Sequence, residues 1–281
     1  EFYVHEARMM GATIHAPCIN KSFAVNCIYG TDIYLGYMYL KELESRVMER
    51  ILKERQLHGV FTSLEDFLDR VPISIEQLSI LIRINAFRFT KINKHKLLWE
   101  AHLFLSKGTI VDHPKLFPPT HQKFKIPRLH TTDLEMAFTQ LELLGFCLCS
   151  PFHLLKEPPK NANGSRDLEQ YLNKNIDIYG YLVTVKNTVT HNGKRMHFAT
   201  CVDQHGEVFD TVLFPPVAAK YYFRGRGIYR FYGKVVSEFG FLSIETIKMQ
   251  KQEVIQDPRY ADMKTASKRL LTAPKNKDST I

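Results

Sequence analysis

The spacing of apolar and polar positions changes character along the chain. Between about residues 35 and 105 apolar residues recur every three or four positions, the spacing of one helix face. In 35–57 they are Leu40, Leu43, Val47, Ile51 and Leu52, and Gly59 marks the helix end. Ser63 opens a capping pattern with Asp66 three residues on and Leu64, Phe67 and Leu68 on one face; Pro72 breaks that helix. The stretch 74–84 puts Ile75, Leu78, Leu81 and Ile82 inward, and Asn93 can cap a further helix from Lys94 to Leu105. Short helices joined by turns of a few residues predict a compact helical unit over 31–106. Before it, residues 1–11 read as the end of a helix capped by Gly11, with no N-cap ahead of it. A start of this kind, without Met, suggests that a longer protein has been cut here.

The period is then lost. Pro114, Pro118, Pro119 and Pro127 make 107–130 read as an extended connector, helix returns over Leu134 to Leu144, and Pro151, Pro158, Pro159 and Asn161 to Gly164 form a second loop region. The connector with its one helix (132–145) thus occupies 107–170. From Ile176 to Met249 the pattern is five short strands around one helix, with turns at Asn192-Gly193 and His205-Gly206. That is the pattern of a small OB-type barrel, placed here at 171–250, whose ligands are mostly single-stranded nucleic acids and oligosaccharides. The fold class expected is therefore α+β: an N-terminal all-α helix-hairpin-helix unit followed by a five-stranded OB-type β-barrel. Residues 251–281 form a polar tail, the last dozen of them expected to be frayed or disordered.

At 281 residues two domains are the prior expectation, and an apolar content of 44% is ordinary for a folded protein. The net charge of +9 suits a polyanionic partner but does not by itself choose between nucleic acid and a membrane surface. The charge is uneven: residues 1–60 are balanced, 83–96 carry five basic side chains and no acid, and 176–248 carry nine basic and six acidic ones. Two basic segments on two different folds fit a partner long enough to touch both. Five cysteines without a C-x-x-C pair argue against a disulfide framework or a zinc ribbon and for a reducing, cytoplasmic setting; Cys147 and Cys149 read as small buried hydrophobes. There is no run of about 18 apolar residues, so neither a membrane span nor a membrane partner is expected.

The segment from Leu81 to Lys96 joins two helices by a short basic turn. Backbone amides at a turn and a helix N-terminus can bind phosphate, with Arg83, Arg88, Lys91, Lys94 and Lys96 adding charge, as helix-hairpin-helix units do on a DNA backbone. The plain alternative is a solvated loop, since the turn has no glycine. In the barrel, strand two runs roughly from Lys194 to Val202, and Met196, Phe198, Thr200 and Val202 form the better core face. Arg195 and His197 then face out, with Phe209 and Thr211 of strand three on the same surface, and Lys186, Lys194 and Arg230 complete the candidate DNA-binding set. The alternative for any single aromatic is that it fills the core. No catalytic constellation stands out: Asp32, Asp203, Glu207 and Asp210 make no D-x-D pair for a two-metal site, and phosphate-loop, H-E-x-x-H and G-x-S-x-G motifs are missing.

Taken in order, four segments resemble the C-terminal part of the bacterial DNA polymerase III alpha subunit, of polymerase family C. They are EARMMGATIHAPCINKS (6–22), resembling the end of the fingers region (1–30); YLKELESRVMERILKERQLHGVFTSLEDFLDRV (39–71), in the tandem helix-hairpin-helix region; LELLGFCLCSPFHLL (141–155); and NGKRMHFATCVDQHGEVFDTVLFP (192–215), in the OB domain. The resemblance covers about residues 1–250. It implies template-directed DNA synthesis on Mg²⁺, with the palm carboxylates in the full-length polymerase and not in this chain, which itself needs no cofactor. This part would hold primer-template duplex and single-stranded template DNA, in replication or translesion repair. The chain departs from the family pattern in places. Lys41-Glu42-Leu43-Glu44 stands where the first hairpin has Gly-x-Gly, and Asn85-Ala86-Phe87-Arg88 where the second has Gly-Ala-Phe-Asp. Ser150-Pro151-Phe152 stands where the family has His-Pro. Leu116-Phe117 and Gln122-Lys123-Phe124 fit the sliding-clamp peptide poorly, which points to the error-prone branch; other polymerase subunits are further candidate partners. The alternative kept open is a stand-alone OB-type single-strand-binding protein without catalysis.

Overall fold

In a computed structural model, described for residues 1–106, 131–161 and 163–260, the chain forms a helical unit followed by a closed barrel. The expected clamp-peptide positions Leu116-Phe117 and Gln122-Lys123-Phe124, and the tail from residue 261, lie outside the described residues. No helix among the described residues is long and apolar enough to cross a membrane.

The helical unit begins with α1 (Phe2–Met9), then β1 (Thr13–His15), β2 (Cys27–Tyr29) and β3 (Asp32–Tyr34). These three short strands form a sheet of order β1-β3-β2, an addition to the all-α unit that the sequence predicts. Three-residue strands are too short to show an alternating pattern. The helices that follow are α2 (Ser45–His58), α3 (Leu64–Arg70), α4 (Ile75–Arg83) and α5 (Lys94–Ser106). The caps expected at Ser63 and Asn93 are present, Ser63 Oγ accepting from Asp66 N at 3.0 Å and Asn93 Oδ1 from His95 N at 2.8 Å, and Ser74 Oγ adds a third by accepting from Gln77 N. The helix expected from residue 35 begins only at Ser45, because Glu42 adopts φ 65°, outside the helical region. Gln77 holds that bend from both sides, donating to Glu42 O and accepting from Glu44 N. Phe61, Phe67 and Phe87 meet edge to face in the core, with ring centroids 5.1 and 5.0 Å apart.

Helix α6 (Asp133–Leu143) adds Leu143, Leu144 and Phe146 to the same core. The barrel then runs through β4 (Asn175–Val189), β5 (Arg195–Asp203), β6 (Val208–Leu213), α7 (Pro215–Ala218), β7 (Ile228–Glu238) and β8 (Phe241–Lys251). Its strand order is β4-β5-β6-β8-β7, closed by antiparallel pairing of β7 with β4, with β6 and β8 parallel. This is the five-stranded OB-type arrangement. Both expected turns are in place, at Gly193 (φ 71°) and Gly206 (φ 90°). Where the parallel pair meets, Thr211 Oγ1 lies 2.5 Å from Thr246 Oγ1 and donates to Ile244 O, so two buried hydroxyls are satisfied inside the barrel.

The barrel interior corrects the face expected of strand two. Ala199 and Cys201, not Phe198 and Thr200, point inward, and Phe209 is 3% exposed in the core. The reason is volume. Phe209, Tyr229 and Phe231 occupy the interior, so small residues must face them. A Cβ on Gly180 would lie 2.6 Å from Phe209 Cζ and 2.8 Å from Cys201 Cβ. Gly180→Ala should therefore destabilise the protein by about 2 kcal/mol, the cost of overpacking a filled core, measured as a lower midpoint of chemical unfolding.

Candidate nucleic-acid interface

Two surfaces were expected to bear on DNA. In the helical unit, most of the basic side chains are already engaged. Arg88 donates to Ala16 O, Pro17 O and Asn85 O, at 2.7, 3.1 and 3.1 Å, and so ties the hairpin to the strand region. Lys94 is buried and pairs with Glu135 of α6 at 2.7 Å. Burial works to raise the pKa of Glu135, but the hydrogen bond and charge of Lys94 win and hold it below the usual carboxylate value. Arg83 pairs with Glu142 at 2.5 Å and Lys96 with Glu100 at 3.6 Å. Lys91 is exposed, with no partner among the described residues.

The turn amides are also spent. Asn85 N bonds Ile82 O and Ala86 N bonds Leu81 O, a Schellman arrangement that closes α4 with Asn85 at φ 63°. Asparagine thus does what glycine does in the family pattern. Lys91 N bonds Arg88 O, and Ile92 N bonds Thr90 Oγ1. Of the five basic residues, Lys91 keeps an exposed side chain with no partner among the described residues. Lys94 and Arg88, expected as phosphate contacts, are structural groups instead, because acceptors distant in sequence reach them first.

The barrel presents a cleft of about 640 Å³ between the β4–β5 hairpin and the loop from α7 to β7. Val185, Asn187, Arg195, His197, Tyr222 and Arg226 are among its lining residues. Arg195 and His197 share the inward parity of Ala199 and Cys201, and the cleft lies where their end of the strand opens to solvent. Two groups fix the loop. Phe223 packs against Tyr229, Phe231 and His197, with centroids 5.2, 6.3 and 6.3 Å apart. The Tyr229 hydroxyl donates to Gly225 O at 2.7 Å and accepts from Arg224 N at 2.8 Å. That leaves Tyr222 58% exposed, with the Arg224 guanidinium 4.9 Å from its ring centroid. Arg226 is anchored by Glu1 at 2.8 Å and by Gly145 O, and so links the cleft to α1 and to the segment after α6. Lys194 and Arg195 are exposed at the hairpin.

His197 bonds the Asn187 side chain at 2.7 Å. Partial burial, and then the charge of Arg195, hold its pKa below the ordinary histidine value. Lys186 stands on the outer face of the hairpin, opposite exposed Phe198. Arg230 is on another face, paired to Asp177 through two nitrogens. Of the expected barrel residues, then, Arg195, His197 and Lys194 lie at or beside the cleft, Lys186 and Arg230 lie elsewhere, and Phe209 is core. Tyr222, Arg224 and Arg226 were missed as site residues. The basic and aromatic run Lys220 to Gly227 is the signal for them. Among the described residues no three His, Cys, Asp or Glu side chains converge as a metal site. Asp203 accepts from the amides of Ser165, His205 and Glu207, and Asp210 accepts from Thr200.

Two expected outcomes test this accounting. Lys94→Ala, which leaves Glu135 with His95 alone at 3.3 Å, should cost about 2 kcal/mol of stability, whereas Lys91→Ala should leave the unfolding midpoint in place. His197 has a folded pKa below its unfolded value, so its contribution to stability is complete above about pH 6.5 and is lost as pH falls through the folded value. His197→Gln should flatten the fall in stability between about pH 6.5 and 5, read from urea midpoints across that range.

Comparison with known proteins agrees with this architecture. Residues 11–97 match the model of a helix-hairpin-helix motif family. The error-prone DNA polymerase of Mycobacterium tuberculosis is 31% identical over 145 residues, 50% of this chain and 13% of that protein. The DNA polymerase III subunit alpha of Treponema pallidum is 27% identical over 233 residues, 76% of this chain and 20% of that protein. That of Borreliella burgdorferi is 26% identical over 246 residues, 78% and 21% respectively. The chain thus spans about a fifth or less of the length of these relatives. In its helix-hairpin-helix unit, its closed OB-type barrel and these relatives, the chain is similar to the family of bacterial DNA polymerase III alpha subunits and error-prone DNA polymerases, matching a C-terminal part of such a protein.

Proposed function

We propose that this chain is a DNA-holding segment of a polymerase of that family, binding single-stranded template in the barrel cleft and duplex backbone at the helical hairpin. The observation that carries the reading is the cleft itself. Arg195 and Arg226 border it, Tyr222 and its Arg224 partner stand at its rim, and the loop holding them is pinned to the barrel core by Tyr229. Cationic groups take phosphates, and an exposed aromatic ring takes any base on its face, so such a groove binds single strands with little regard to sequence. The helical unit adds Lys91, which would touch a phosphate without reading a base.

In this reading template-directed synthesis, in replication or translesion repair, belongs to the longer cytoplasmic protein, and so does its Mg²⁺. The residues present do not fit such a metal. Asp203 and Asp210 are committed to amides and a hydroxyl, and no ligand trio converges among the described residues. The shorter, error-prone branch of the family is the assignment we favour, on the poor fit of Leu116-Phe117 and Gln122-Lys123-Phe124 to the sliding-clamp peptide. A sliding clamp and other polymerase subunits would then meet parts of the protein outside the described residues.

Tyr222→Ala should weaken binding of a single-stranded oligonucleotide about tenfold, and Arg195→Ala should reduce the slope of log affinity against log salt by about 0.7. Lys91→Ala should leave single-strand binding alone and reduce the duplex slope by about 0.9. Fluorescence anisotropy titrations over a salt series read all three. Unchanged single-strand affinity in both barrel variants would exclude the cleft.

A further inference from the structure

The barrel has a second concavity, of about 550 Å³, on the outer face of β4, β7 and β8. It is lined by Asp177, Tyr221, Arg230, Tyr232, Lys248 and Gln250, with Met249 beneath. Asp177, Tyr232 and Lys248 form one cross-strand row, and Arg230 lies opposite Gln250 in the next. The single acid in this lining is neutralised by Arg230, which is held by two of its nitrogens and lies over the Tyr179 ring. Lys248 is exposed, and Tyr232 is 38% exposed with its hydroxyl bonded to Asn175. Lys220 stands beside Tyr221, 5.6 Å from its ring centroid.

The loop between α7 and β7 is the wall between the two concavities. Tyr222 and Phe223 line the first cleft, and Tyr221, the residue before them, lines the second. Tyr221 and Tyr222 are adjacent in the chain, so one short segment presents an aromatic ring to each concavity. Successive Cα atoms are about 3.8 Å apart, and the two rings are therefore within reach of one continuous strand.

We propose that the β4–β7–β8 face is a second contact for the same single-stranded DNA, which crosses the Tyr221–Tyr222 wall from the cleft and stacks a base against Tyr232 beside Lys248. This rests on the cleft reading above and extends it by a site on the opposite side of the loop. The chemistry favours a strand over a protein partner. The lining combines cations with aromatic rings and offers little aliphatic surface. The volume is within the range of about 300–1,000 Å³ that takes nucleotide-sized ligands.

The test uses the whole chain and two oligothymidylates, one of about 5 and one of about 15 nucleotides, within the span that one OB barrel covers. The longer should bind wild type more tightly. Tyr232→Ala and Lys248→Ala should each weaken the longer about tenfold or less and leave the shorter within about twofold, while Tyr232→Phe, which keeps the ring, should bind both like wild type. Tyr222→Ala should weaken both lengths. Equal affinity of wild type for the two lengths, no loss in Lys248→Ala, or equal losses at both lengths would overturn the second contact. Loss in neither length for Tyr222→Ala would instead overturn the first cleft. Lys248→Ala, an exposed substitution, carries the test if Tyr232→Ala melts early.

Discussion

The aromatic filling of the barrel is the constraint on which the binding surface depends. Phe209, Tyr229 and Phe231 crowd a closed ring of five strands, and Gly180, Ala199 and Cys201 must stay small opposite them. Phe223 extends the same cluster into the loop after α7, and the Tyr229 hydroxyl is bonded to that loop at two backbone positions. Packing inside the barrel thus sets where Tyr222, Arg224 and Arg226 stand outside it. A groove that receives a flexible single strand gains from a wall of this kind, because little ordering of the protein is left for the moment of binding.

In the helical unit the basic residues have a different role. Lys94, Arg83 and Arg88 are held by Glu135, Glu142 and the carbonyls of residues 16 and 17. These contacts join α5, α4 and the strand region to elements distant in sequence. A charge buried with its partner is a poor DNA ligand, since it would have to be released before it could meet a phosphate. The five-fold positive run at 83–96 therefore overstates what the surface offers. Within 83–96 the positive charge left exposed and unpaired among the described residues is that of Lys91 at the turn.

Likeness to the polymerase family and the geometry bear on different questions. The relatives are similar over half to three quarters of the chain, at identities of 26 to 31%, a likeness that fixes no individual contact. The departures noted in the hairpins are resolved by geometry. Asn85 and Glu42 adopt left-handed backbone where the family pattern has glycine. Asparagine bears that conformation at small cost, whereas at Glu42 the Gln77 side chain holds the bend in place.

The sequence by itself determined the local features: the caps at Ser63 and Asn93, the hairpin turns at Gly193 and Gly206, the five strands and the order of the two units. Each depends on a few neighbouring residues and so survives in a linear pattern. The tertiary structure alone decided which side of β5 is interior, because alternation gives two faces and the volume of Phe209 across the barrel chooses between them. It also decided which cations are free, since the partners of Lys94, Arg83 and Arg230 come from other elements. The small β1-β3-β2 sheet belongs to the same class: its strands are too short for a period, and only their pairing defines them. Features fixed by neighbours along the chain were legible; those fixed by charge or volume arriving from elsewhere needed the fold.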